Sequence, residues 1–218
     1  MSRVRVTLKL ATSLDGKIAL ANGESEWVTG ELARKAGRAL RGSHDAIAVG
    51  SNTALLDNPQ LTTRTPGLTD PIRVVFDTRL RLAEDSNLAQ TADEVPVVVL
   101  TENDASSQAD RLKALQVSVI RVPLEGDHIS IAEALDALSR MGVRTLLVEG
   151  GGQLAAAFLR TGVVDTLEWF TAPILIGGDG RGCVAALELG AMSDVLRWER
   201  VLLEELGSDL HERFERSL

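Results

Sequence analysis

The chain has 218 residues, 44% hydrophobic and 25% charged, with a formal net charge of -8 at pH 7. That length suits one large domain, read as residues 1–218, with a sizeable core, and the acidic balance argues against a nucleic-acid partner. A single cysteine, Cys183, excludes an internal disulfide, and His44, His128 and His211 are too scattered to suggest a metal site.

No apolar run is long enough to span a bilayer and no charged start leads into an apolar segment, so the expected location is the cytoplasm, away from membranes. Val4 to Leu10 alternates apolar and polar residues, which predicts a strand with one apolar face. Asp15-Gly16 is turn chemistry. Ala21 to Trp27 is a polar loop with one large aromatic, Trp27, read either as a ligand wall or as an anchor of the loop to the core. Thr29 is placed to cap a helix from Gly30 to Arg41. Arg34, Arg38 and Arg41 recur on one side of it. A solvated face explains the first two, while Arg41, beside the Gly42 stop, is the one placed to reach a ligand.

Asp45 to Val49 reads as a buried strand, followed by a short helical segment that ends near Leu56 and Asp57. Pro59 disfavours helix at Asn58. Ile72 to Phe76 is a strand leading into Asp77-Thr78-Arg79, and Val95 to Leu100 is another, with pairing expected only after Pro96. Gln108 to Leu115 is helical, Val117 to Val122 is a strand, and Ser130 caps a helix that Gly142 ends.

Next, the apolar run Leu146 to Val148 meets Glu149, three glycines at 150–152 and an Ala-rich helix. Without Cβ atoms the turn lets backbone N–H groups approach a phosphate at the positive end of the helix. It is not the dinucleotide fingerprint of a Rossmann site. Thr166 to Ala172 is a strand, Pro173 to Ile176 continues extended, and Gly177 to Gly182 reads as a long flexible loop. Arg197 to Leu206 and Leu210 to Phe214 form a terminal hairpin around Gly207-Ser208-Asp209. Strands alternating with helices and then antiparallel strands predict an α/β fold. Its sheet is mostly parallel, with helices on both faces and an antiparallel edge.

Three segments carry a resemblance: Leu8 to Lys17; Gly23 to Thr29 with Val49 to Arg64; and Leu147 to Gly152. In this order they resemble the reductase domain of the bifunctional riboflavin-biosynthesis deaminase–reductase, whose fold is the three-layer dihydrofolate reductase-like one. The resemblance implies NADPH-dependent reduction of 5-amino-6-(5-phosphoribosylamino)uracil, or of its non-deaminated precursor, to the ribitylamino product. It implies cofactor contacts from Ala11, Trp27, Thr53, Asp57 and Thr78, and from the backbone of Gly151, Gly152, Gln153, Leu154, Ala155, Ala156 and Ala157. Ser25, Arg41, Leu61, Arg64 and Glu149 would face the substrate. Guanidinium groups such as Arg41 and Arg64 suit a phosphate because they form bidentate, charge-assisted bonds. Arg79, beside Thr78, is expected to favour NADPH through its 2′-phosphate.

Asp57 is read as the proton donor or orienting group, or else as a helix-end residue bonding to local backbone. The family's zinc deaminase signature, H-x-E with P-C-x-x-C, is absent from these 218 residues, so this chain is not expected to deaminate. The competing readings are a reductase of the same fold acting on a pterin, folate or other imine or carbonyl compound, and a non-catalytic NADP-binding protein. An unpaired edge at the closing hairpin, together with the family resemblance, predicts a homodimer.

Overall fold

The alternation near the start becomes β1 (Arg5–Ser13), in which Val6, Leu8 and Leu10 are buried while Arg5 is exposed and Thr7 and Lys9 are half-buried. The computed structural model describes residues 3–25 and 28–217; Trp27 therefore lies outside the described residues. After the Gly16 turn comes the short β2 (Lys17–Ala19). α1 (Glu31–Arg41) follows, but Thr29 is not its cap. The first helical acceptor is Gly30, whose carbonyl takes the Arg34 amide at 3.0 Å. Gly30 gives its own amide to Asp209 Oδ2 at 2.6 Å. A carboxylate from the far end of the sequence thus supplies what a local hydroxyl was expected to supply.

β3 (Ala46–Gly50) runs straight into α2 (Ser51–Asp57), which stops where Asn58 turns left-handed, φ 39°, ahead of Pro59. Then come β4 (Ile72–Phe76), α3 (Asn87–Gln90), β5 (Val97–Thr101), α4 (Ser107–Ala114) and β6 (Ser118–Arg121). Pro96 lies just outside β5, as its missing N–H requires. A small ladder, β7 (Leu124–Glu125) with β8 (His128–Ile129), precedes α5 (Ile131–Arg140). Ser130 occupies the N-cap position without capping; its hydroxyl donates to Glu125 Oε2 at 3.2 Å instead. β9 (Thr145–Glu149), α6 (Gly152–Arg160), β10 (Val164–Ala172), β11 (Arg181–Gly182), β12 (Trp198–Leu206) and β13 (Asp209–Arg216) complete the chain. Among the described residues no helix is long and apolar enough to cross a membrane.

The chain forms two compact units. The first, residues 3–5 and 38–148, holds parallel strands in the order β9-β3-β4-β5-β6. Consecutive residues of β3, β5 and β9 are buried, so both faces of this sheet are covered, which is why their sequences are apolar runs rather than alternations. Ile47, Val49, Val75, Val99, Leu112 and Leu147 are at most 1% exposed, and each such side chain stabilises by about 1.5–3 kcal/mol. Arg73 of β4 interrupts the apolar pattern yet is 1% exposed. Its guanidinium hydrogen-bonds to carbonyl and hydroxyl oxygens, donating to Thr91 O and Thr91 Oγ1, both at 2.8 Å, to Gln60 O at 3.3 Å, and to Val95 O, with the charges of Asp70 and Glu94 nearby.

The second unit, residues 6–37 and 149–217, pairs β1 with β10 in parallel, and β10 with β13 and β13 with β12 antiparallel. The hairpin turns at Gly207, φ 72°. Its anchor is buried Glu168 on β10, which meets His211 Nε2 at 2.7 Å and accepts from Arg213 Nε at 2.6 Å. Phe170 stacks on the His211 ring at 4.3 Å. Parallel pairing makes up the sheet of the first unit, while in the second β1 and β10 pair in parallel and the C-terminal hairpin adds the antiparallel edge, as the α/β reading requires.

Candidate active site

In the second unit the glycine turn is built for two purposes. Gly150 and Gly151 have φ of 82° and 79°, a region costly for residues with a Cβ. Gly152 has an ordinary backbone, but a Cβ there would lie 2.6 Å from Gly182 O. Its absence lets residues 182–185 pack across the start of α6, with Ala185 N donating to Gly152 O at 2.9 Å. No side chain caps α6. Ala155 N already bonds to Gly151 O at 3.0 Å, so the amides without helical partners are those of Gly152, Gln153 and Leu154. Ala155 and Ala156 are buried and Ala157 half-buried inside the helix. The arrangement can hold an anion with main-chain donors, which fits a dinucleotide pyrophosphate.

The segment beside this turn is not the flexible loop that its glycines suggest. Asp15 accepts from Ser13 Oγ at 2.6 Å, Gly177 N at 2.7 Å and Ile176 N at 3.2 Å. The Ser13 hydroxyl and the Gly177 amide hold its carboxyl down at about 2. β11 pairs with β2, and Cys183 N donates to Gly16 O at 3.0 Å. Burial pushes the Cys183 thiol up, away from the thiolate a reactive cysteine needs. Glu149 ends β9, 8% exposed. Ala11 is half-buried in β1 and Ser25 is exposed.

In the first unit, Thr53 is half-buried in α2 and Asp57 is its last residue. Asp57 has no hydrogen-bond or ion-pair partner among the described residues, and desolvation raises its carboxyl above the ordinary value. The loop after it brings Arg41 and Arg64 into one neighbourhood: Arg41 Nη1 donates to Thr62 O at 2.9 Å, two residues before Arg64, which is exposed. Leu61 is 3% exposed and packs in the core, so any contact it makes with a ligand falls to its main chain.

At the end of β4, buried Asp77 shapes the turn by accepting from Arg81 N at 2.6 Å and Leu82 N at 2.8 Å. Burial raises its carboxyl despite those amides. Thr78 is half-buried and Arg79 exposed. The turn also delivers Arg81, which sequence reasoning passed over, to Ser51 Oγ at 2.6 Å and Asn52 Oδ1 at 3.0 Å. Its alternation with Arg79 was the available signal. Among the described residues no group of His, Cys, Asp and Glu could hold a metal ion.

Comparison with known proteins bears on this arrangement. The model of the RibD C-terminal domain matches residues 4–211. The riboflavin biosynthesis protein RibD of Bacillus amyloliquefaciens is 38% identical over 208 residues, which cover 94% of this chain and 55% of that protein. The chain thus spans about half the length of such relatives. The 2,5-diamino-6-ribosylamino-4(3H)-pyrimidinone 5′-phosphate reductase of Methanothermobacter thermautotrophicus is 35% identical over 213 residues, 95% of this chain and 96% of that one. Among solved structures, Acinetobacter baumannii RibD superposes with a TM-score of 0.86 at 28% identity, over 99% of this chain and 58% of that chain. With its family model spanning nearly the whole sequence, the chain belongs to the RibD C-terminal domain family.

Proposed function

We propose that this chain is an NADPH-dependent pyrimidine reductase of riboflavin biosynthesis. It reduces 5-amino-6-(5-phosphoribosylamino)uracil, or its non-deaminated diaminopyrimidine precursor, to the ribitylamino product. The observation that carries this reading is the likeness to the methanogen reductase, which extends over 96% of that protein's length. That relative's name describes a non-deaminated substrate, which favours the diaminopyrimidine as the second candidate.

NADPH supplies the hydride when bound. The first-turn amides of α6 hold its pyrophosphate, an assignment supported by the uncapped, glycine-opened helix. Ala11, Trp27, Thr53 and Thr78 line it, and Arg79 pairs with the 2′-phosphate. Arg41 and Arg64 bind the substrate phosphate; in a chain of net charge -8, local guanidinium groups must offset the overall field. Ser25, Glu149 and the Leu61 main chain orient the rest of the substrate. Reduction of the ring-opened sugar imine needs one proton at nitrogen for each hydride received at carbon. Asp57 delivers that proton: desolvation shifts its carboxyl toward the acid form, and no partner among the described residues competes for it.

The test follows NADPH oxidation with the phosphoribosylaminopyrimidine, its non-deaminated precursor and dihydrofolate. Turnover of dihydrofolate alone would overturn the reading. Arg64→Ala should weaken the phosphorylated substrate by about 1.5–3 kcal/mol, and removing the substrate phosphate should then cost little more. The outer edge of β12, which pairs with no strand among the described residues, is expected to be covered in a homodimer; a monomeric mass by light scattering across micromolar concentrations would refute this.

A further inference from the structure

The loop between α2 and β4 holds three non-glycine residues in the left-handed region, Asn58 at φ 39°, Leu61 at 56° and Arg64 at 51°. Asn accepts this region readily, whereas Leu and Arg do not. Such conformations persist only where the surroundings over-determine them, and they gather where a loop must present a group in one geometry. Here each turn of the chain is clamped from a different place. Asn87 grips Asn58 through Oδ1 and O, at 2.8 and 2.7 Å. Buried Arg73 donates to Gln60 O at 3.3 Å, and Arg41 to Thr62 O at 2.9 Å. The Leu61 side chain is plugged into the core.

The last clamp belongs to Asp70. Its Oδ1 accepts from both Thr63 N, at 2.7 Å, and Thr63 Oγ1, at 2.9 Å. Thr63 is 2% exposed, whereas the next residue, Arg64, is exposed. Among the described residues the Arg64 guanidinium makes no hydrogen bond. What aims it is therefore the backbone around it: Asp70 holds the amide and hydroxyl of Thr63 just before it, Arg41 holds the carbonyl of Thr62, and Thr65 just after it donates its hydroxyl to Thr63 O at 3.1 Å.

We propose that Asp70 is a positioning residue for substrate binding: by clasping Thr63 it fixes Arg64 in the left-handed geometry that presents its guanidinium to the substrate phosphate. This rests on the phosphate role of Arg64 proposed above. A loop ordered in advance binds without the entropy loss that a free loop incurs. Removing the clasp should therefore raise KM. It should leave kcat unchanged, because the phosphate lies away from the bond being reduced.

The experiment measures KM, kcat and NADPH affinity for Asp70→Ala, Asp70→Asn, Thr63→Val, Arg64→Ala and the double variant Asp70→Ala/Arg64→Ala, each well below its melting temperature. Asp70→Ala should raise KM for the phosphorylated pyrimidine on the order of tenfold, with kcat and NADPH affinity at wild-type values. Asp70→Asn keeps the same acceptor oxygen and should recover most of the loss, and Thr63→Val, which keeps the amide bond, should fall between. The double variant should be no worse than Arg64→Ala. If Arg64→Ala raises KM and Asp70→Ala does not, or if the two losses add, the positioning role is wrong while the phosphate reading stands. If Arg64→Ala leaves KM unchanged, the phosphate reading fails and this one with it. Should Asp70→Ala not fold, the Asn and Val variants decide: equal, full losses in both would overturn the clasp.

Discussion

Replacing Gly152 by alanine sets two physical effects against each other with opposite signs. The residue opens α6, and its φ is not among the positive ones, so alanine fits the backbone. Helix propensity alone then predicts a gain of about 1 kcal/mol. The tertiary structure predicts a loss. The new Cβ would sit 2.6 Å from Gly182 O, where ordinary contact begins at 3.4 Å, so a main-chain carbonyl must retreat by the difference, 0.8 Å.

That carbonyl cannot move alone. Its strand pairs with β2, the next residue donates to Gly16 O at 3.0 Å, and Ala185 donates back to Gly152 O at 2.9 Å. Overpacking costs roughly 1–3 kcal/mol, and a weakened hydrogen bond about 1 kcal/mol more. Against the propensity gain, the net destabilisation is about 1–3 kcal/mol. Urea unfolding at equilibrium measures it, read from the midpoint at unchanged m. NADPH affinity should fall in parallel, since the helix start that donates to its pyrophosphate is displaced. Gly178→Ala serves as the control: no atom lies within 4 Å of its added Cβ, and its stability should change by less than about 0.5 kcal/mol. A Gly152→Ala protein more stable than wild type would show that residues 182–185 yield freely and that the glycine is present only for the turn.

Three further outcomes follow from the site and its supports. Desolvation raises the Asp57 carboxyl, so its proton persists to higher pH than usual; kcat should decline as pH rises through that raised pKa, and Asp57→Asn should abolish the limb and lower kcat by roughly 10²–10⁴-fold. A pH profile identical in the two proteins would remove Asp57 from proton transfer. Asp209→Ala strips the acceptor from Gly30 N, 2.6 Å away, and should cost about 1–2 kcal/mol in urea unfolding, with no loss meaning that α1 needs no remote cap. For Arg79→Ala, parallel titrations with NADPH and NADH should show the preference for the phosphorylated cofactor shrinking on the order of tenfold or more; an unchanged ratio would move the 2′-phosphate contact elsewhere, Arg81 being the neighbouring guanidinium.

The elements whose cause is local are legible in the sequence. The alternation of β1, the apolar runs of β3, β5 and β9, and the stop at Asn58-Pro59 are all set by sterics and side-chain direction within a few residues. The motif residues from Val49 to Arg64 and Leu147 to Gly152 likewise pointed to the family from sequence alone. The rest depends on contacts between distant segments. β2 and β11 are three and two residues long, too short to show a period, and they exist because distant segments meet. The cap of α1 comes from Asp209, 179 residues away from Gly30. Arg73 reads as a charge that breaks a strand pattern, and its burial is explained only by the oxygens gathered around it and the nearby charges of Asp70 and Glu94. Leu61 and Arg64 have no local reason to be left-handed, and their geometry comes from clamps at Arg41, Asp70, Arg73 and Asn87. Such contacts are invisible to periodicity because they depend on where the closed chain brings a donor and an acceptor together, not on what stands next to them in the sequence.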